Sequence, residues 1–205
     1  MRVSPRLVGL ASVLWALASP FAFAGTADVV AATFDAYSVV APTPERVIVC
    51  HGFGCKYRSE VALSAADRAK LAQIMAGGKG SAVAERQAIA GAWAWFDKRI
   101  ATDAGTRNHV AAAGAQYMFD ANQFDCVDAS RNTTSLLLVL DQLGLLRFHA
   151  VDVPKSRGAF IDGRPFHYTA VLREKANGIE WAVDSWTRAY GQPAEVMTLA
   201  RWLSS

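Results

Sequence analysis

The chain carries 205 residues and a formal net charge of +3, and it contains no cluster of lysines and arginines interleaved with aromatics. The electrostatic footprint of a DNA- or RNA-binding protein is therefore missing. Two of the three net charges come from Arg2 and Arg6, in a 1–24 segment that holds no acid, so the rest of the chain is close to neutral.

Residues 1–24 read as an export signal. Arg2 and Arg6 precede an apolar stretch at 7–18, and Ala22-Phe23-Ala24 offers the small residues a signal peptidase requires. The stretch falls short of the roughly 20 apolar residues of a spanning helix, and no second candidate follows. The expected product is residues 25–205, a soluble exported monomer, periplasmic or secreted, long enough for one domain with a real core.

In chain order, a helix is expected at 27–38 and a brief strand at 46–50. Cys50 and Cys55 then bracket His51-Gly52-Phe53-Gly54, whose glycines let the chain turn tightly. In an oxidising compartment a disulfide is the expected pairing. A zinc site on Cys50, His51 and Cys55 would need a fourth ligand, and a redox or haem motif would need two residues between the cysteines. With that bridge formed, Cys126 is the unpaired thiol among three cysteines.

Ser64 and Asp67 form a capping-box-like start for a helix to about residue 76, ended by Gly77-Gly78-Lys79-Gly80. Ser81 caps the next helix, where Ile89, Trp93, Phe96 and Ile100 share a core face before Gly105 stops it. Residues 106–124 are irregular and are expected to wall a cleft. Asp125 is the N-cap of a helix that runs to about Leu143, with Gly144 as its stop. Strands follow at 146–153, 166–174 and 179–186, with a loop of about eleven residues at 154–164. Helices first and strands last make an α+β chain.

Cys126 opens its helix, His167 follows 41 residues later and Asp184 another 17 on, each of the latter in a strand. A thiol at a helix N-terminus feels the positive end of the macrodipole, which favours thiolate. His167 and Asp184 share a face of their hairpin only if paired residue numbers sum to an odd total, which makes them direct or diagonal neighbours. Nucleophile, base and orienting carboxylate are the roles this order suits. Taken singly, each has an ordinary structural reading: inert buried cysteine, strand histidine, turn or cap aspartate.

Phe124-Asp125-Cys126-Val127-Asp128-Ala129, Leu143-Gly144-Leu145, the 167–172 run His-Tyr-Thr-Ala-Val-Leu and the 181–186 run Trp-Ala-Val-Asp-Ser-Trp resemble the transglutaminase-like superfamily. The nearer likeness is to bacterial transglutaminase-like cysteine proteinases, which are exported and share a Cys-x-Asp start. The resemblance spans about 120–190. It implies a papain-like core with a nucleophile helix packed on an antiparallel sheet, occupying 116–205, with 25–115 as a mainly helical part of the same domain. Cys126 would be nucleophile, His167 base and Asp184 orienter, beginning from a thiolate–imidazolium pair. The Cys126 amide and the Gln123 side chain are oxyanion candidates. Asp128 is a candidate contact for a substrate amine or a cation, calcium in related proteinases, against the simpler reading of an acid stabilising a helix start.

Tyr168 and Trp186 are candidates for a substrate groove, or else core aromatics. His51, His109 and His149 lack a recognisable carboxylate or metal-ligand pattern and read as incidental. The Asn132-Thr133-Thr134 sequon lies within a helix of an apparently bacterial exported chain and is set aside. The expected function is thiol-dependent hydrolysis of peptide or isopeptide bonds in a cell-envelope protein or peptide, with no other cofactor. Acyl transfer to an amine and non-catalytic peptide binding are the alternatives.

Overall fold

The computed structural model describes residues 25–158 and 165–205, so the export-signal expectation and most of the 154–164 loop lie outside the described residues. The chain is α+β, with helices and two antiparallel sheets. Its elements run α1 (Thr26–Thr33), β1 (Arg46–His51), β2 (Tyr57–Ala62), α2 (Ala65–Met75), α3 (Ala82–Ala104), α4 (Cys126–Gln142), β3 (His149–Arg157), β4 (His167–Glu174), β5 (Glu180–Asp184), β6 (Glu195–Thr198) and α5 (Leu199–Ser204).

The helix starts follow their caps. Ser64 and Asp67 bond each other's amides at 3.1 and 2.9 Å to open α2, and Ser81 Oγ accepts from the Ala84 amide at 3.1 Å to open α3. Ile89, Trp93, Phe96 and Ile100 are buried on one face of α3 as expected. The N-terminal part is less helical than predicted, because β1 pairs with β2 as a hairpin. In β2 only Val61 is buried, so the alternation that announces a strand is absent.

Helix α4 is the centre of the molecule, and every residue from Asp128 to Leu140 is buried. Its apolar half, Leu136 to Leu140, meets the core directly. Several side chains of its polar half find specific partners. Asn132 exchanges two 2.8 Å hydrogen bonds with the backbone of Cys50 in β1, and the Thr133 and Ser185 hydroxyls meet at 2.8 Å. The sequon asparagine is thus sealed inside. Buried polar groups satisfied in this way cost little, whereas unmatched ones would cost about 1–3 kcal/mol each.

The main sheet has the order β3-β4-β5-β6, all antiparallel. Strand β3 starts three residues later than predicted, at His149, because the amides of Arg147, Phe148 and His149 bond the Glu85 carboxylate of α3. A bulge falls between Asp152 and Lys155, at Pro154, which has no N–H to give a ladder. Ala170 and Leu172 of β4 join the core around α4, while Val171 and Ala182 face Leu199 and Trp202 of α5.

Candidate active site

Strands β4 and β5 pair Ala170 with Val183 and Leu172 with Trp181, a register sum of 353. That sum is odd, and it makes His167 and Asp184 diagonal neighbours on one face. His167 Nε2 lies 2.5 Å from Asp184 Oδ2. The same Oδ2 accepts from Trp202 Nε1 at 2.9 Å, and Oδ1 accepts from the Trp186 amide at 3.2 Å. An ionised carboxylate only accepts, so imidazole Nε2 carries the proton and Nδ1 holds the free lone pair. Nδ1 is buried with no hydrogen-bond partner among the described residues.

The imidazole is held by aromatic rings on two sides. Trp186 lies 4.7 Å from it between ring centroids and Trp202 5.3 Å. Extending the β4–β5 register puts Trp186 opposite His167, which accounts for the first contact. Trp202 comes from α5, an element the sequence reading did not include. Arg157, the register partner of His167 in β3, stacks its guanidinium 4.3 Å from the Trp202 ring and bonds Trp202 O and Ser205 Oγ.

Cys126 is 9% exposed at the tip of α4. Its Sγ lies 3.8 Å from the carbonyl oxygen of Phe166, the residue before His167. By alternation His167 points to the α5 face, and the thiol arrives from the α4 side. His167 is the first residue of β4, at the sheet's end and next in sequence to Phe166. No hydrogen bond joins Sγ to the imidazole. Burial pushes the thiol up to about 11, reinforced by the negative charges of Asp125 and Asp184 and opposed by the Tyr168 and Cys126 amides. The resting state is therefore a neutral thiol, in place of the expected thiolate–imidazolium pair: desolvation outweighs the helix dipole.

Cys50 and Cys55 form the expected disulfide. Inside it, residues 52 to 55 all have left-handed φ, from 59° to 76°. A side chain at Gly52 would collide with the Tyr57 ring at 2.4 Å. This turn aims successive amides at the start of α4: Phe53 N and Cys55 N donate to Asp128 at 2.8 and 2.5 Å, and Gly54 N donates to Asp125 at 2.8 Å. Consecutive amides in such a turn make a nest for anions. Asp128, expected either as an amine or cation contact or, more simply, as an acid at a helix start, gives both oxygens to these amides and to Asp125 N at the start of α4. Burial, and then the charge of Asp125, raise its pKa against the pull of those bonds.

Gln123 is buried, its Oε1 accepting from Val110 N at 2.9 Å, an orientation that leaves the NH₂ end as the donor. Its carbonyl accepts from Gly52 N at 2.8 Å, tying the disulfide loop to the 106–124 segment. That segment flanks the site through Ala112 N, which donates to Trp186 O at 2.7 Å. Tyr168 lines a pocket beside α4, and Trp186 lines another with His167 and Arg157.

The three remaining histidines are not incidental. His109 Nε2 sits 3.0 Å from both oxygens of Asp97, and His149 Nδ1 2.9 Å from Glu85, both acids fully buried. His51 bridges Ala121 O and Ser59 Oγ. Their partners are 12, 64, 70 and 8 residues away in sequence, so no local spacing announced them. No family model, curated protein or solved structure matches the chain.

Proposed function

We propose that the chain is an exported, periplasmic or secreted, thiol-dependent hydrolase of peptide or isopeptide bonds, with a papain-like core of the kind its sequence resembles in transglutaminase-like cysteine proteinases. The observation that carries this reading is the 2.5 Å His167–Asp184 bond, with Nδ1 left unpartnered among the described residues. The disulfide suits an oxidising compartment, and no described helix is long and apolar enough to cross a membrane.

In this mechanism the Cys126 side chain rotates toward the imidazole as substrate enters. Catalytic hydrogen bonds are often loose before substrate binds. Sγ attacks the carbonyl carbon while its proton passes to His167 Nδ1. The oxyanion is met by the Cys126 amide and by Gln123 Nε2. His167 then protonates the leaving amine, and the C–N bond breaks to leave a thioester. A water gives a proton to His167 and attacks the thioester, and the thiol leaves with that proton restored. Asp184 keeps the ring's tautomer throughout, and Trp202 keeps Asp184 in place. Because the thiol starts neutral, His167 acts as a general base in the attacking step.

Burial of the thiol and its high pKa favour a second reading, a non-catalytic peptide-binding protein on the same fold. Incubation with a proteome-derived peptide mixture, read by mass spectrometry of new termini, separates the two. Hydrolysis requires new termini with wild type and none with Cys126→Ser. Binding without new termini supports the second reading.

A further inference from the structure

On the side of the sheet that faces α4, the elements α1, α4 and the bulged end of β3 line an open pocket, with Thr33, Tyr37, Val127, Arg131, Val153 and Tyr168 among its walls. Arg131 is 4% exposed, and no carboxylate forms an ion pair with it among the described residues. Its Nε donates to Thr33 O at 3.1 Å and its guanidinium lies 3.8 Å from the Tyr37 ring centroid, yet Nη1 is buried with no hydrogen-bond partner there. Thr33 Oγ1, in the same wall, is also buried without one. Burial is the largest effect on Arg131 and lowers its pKa, opposed by the Tyr37 side chain and, through space, by Asp128 and Asp125. A buried charge normally has a paired opposite charge, because desolvation costs several kcal/mol. Here two unmatched polar groups belong to residues that line one small pocket.

The pocket is close to the chemistry. Val127, next to Cys126 at the start of α4, and Tyr168, next to His167 in β4, both line it. The aliphatic walls from Val127 and Val153 suit a short methylene stem.

We propose that this pocket is a substrate subsite for a carboxylate, the side chain of an aspartate or glutamate adjacent to the scissile bond, with Arg131 as its ion partner and Thr33 as a second donor. The subsite rests on the hydrolase reading for its place in catalysis, and its test is built to stand apart from that reading.

Two arms decide it. In the first, a positional-scanning fluorogenic peptide library is cleaved by wild type and by Arg131→Gln. Wild type is expected to prefer acid over amide at one position near the cleaved bond by about tenfold or more in kcat/KM, the scale of one charge-assisted pairing. Arg131→Gln is expected to erase that ratio while still cleaving the amide peptide. A preference that disappears when peptide C-termini are amidated assigns the pocket to chain ends and overturns the side-chain claim. In the second arm, Cys126→Ala protein is titrated with the α-methylamides of N-acetylglutamate and N-acetylglutamine, which differ only in the side-chain acid or amide, under NMR observation. Saturable shifts at Tyr168 with the acid, about tenfold weaker with the amide and lost in Cys126→Ala/Arg131→Gln, support the subsite even if no peptide is ever cleaved. If the Arg131 variant fails to fold, Thr33→Val replaces it and must weaken acid binding. Equal affinity for acid and amide, or acid binding indifferent to these substitutions, overturns the proposal.

Discussion

Trp202 donates its indole N–H to the same Asp184 oxygen that bonds His167, at 2.9 Å. An indole only donates, so this bond holds Oδ2 as an acceptor and fixes the imidazole proton on Nε2. Trp202→Phe keeps the ring packing and deletes the donor. Activity toward any cleaved peptide is expected to fall about five- to tenfold in kcat with KM little changed, the equivalent of roughly 1 kcal/mol. A change confined to KM would contradict the positioning role.

The buried thiol makes a prediction about pH. Because Cys126 ionises near 11 when folded, against an ordinary 9.0, its alkylation by iodoacetamide should climb about tenfold per pH unit between about pH 7 and 10. A rate already level above about pH 6 would instead report a preformed thiolate–imidazolium pair. Stability follows the same sign. The unfolded chain sheds this proton first, so the thiol's contribution is full below pH 9.0 and is lost toward about 11.

Glu85 predicts acid sensitivity. Burial alone would raise its pKa, but bonds from His149 and from the Arg147 and Phe148 amides outweigh it and the net shift is downward. A carboxylate with a depressed folded pKa contributes stability above its unfolded value, 4.5, and that contribution is lost as pH falls through the folded one. Glu85→Gln should therefore cost about 3 kcal/mol near neutrality by urea unfolding and flatten the loss of stability below about pH 4.5. An unchanged acid limb would contradict the role.

The disulfide turn and the start of α4 should unfold as a coupled unit. Asp128→Ala strips acceptors from Phe53 N and Cys55 N and is expected to cost about 2–4 kcal/mol. Cys50→Ser/Cys55→Ser opens a short loop, worth about 2 kcal/mol in chain entropy. Combining them should cost less than the sum, because the turn that presents the amides is already loosened. Strict additivity in denaturant melts would argue that the two act separately.

The features legible in the sequence were those with local signatures. Caps at Ser64, Ser81 and Asp125 and the stripe from Ile89 to Ile100 each follow from residues a few places apart. The hairpin turn is Lys175 to Gly178, with Glu174 N bonded to Ile179 O, and this selects the diagonal register over the directly opposed one and over the three-residue loop that would have put His167 and Asp184 on opposite faces. Distant pairings left no such trace. Glu85 with His149, Asp97 with His109 and Trp202 with Asp184 are set by packing, and β2 exposes most of its residues. The neutral thiol was hidden for a related reason, since a helix N-terminus shows in the sequence while the burial that overrides it does not.

The most direct test of Cys126 as nucleophile and His167 as its base is intact-mass analysis after exposure to a peptidyl acyloxymethyl ketone, an electrophile that needs an activated cysteine. Catalysis predicts one adduct per chain on Cys126 in wild type, and an adduct slowed about 100-fold or more in a folded His167→Ala variant. No adduct on folded wild type, or equal labelling of the two proteins, would contradict it.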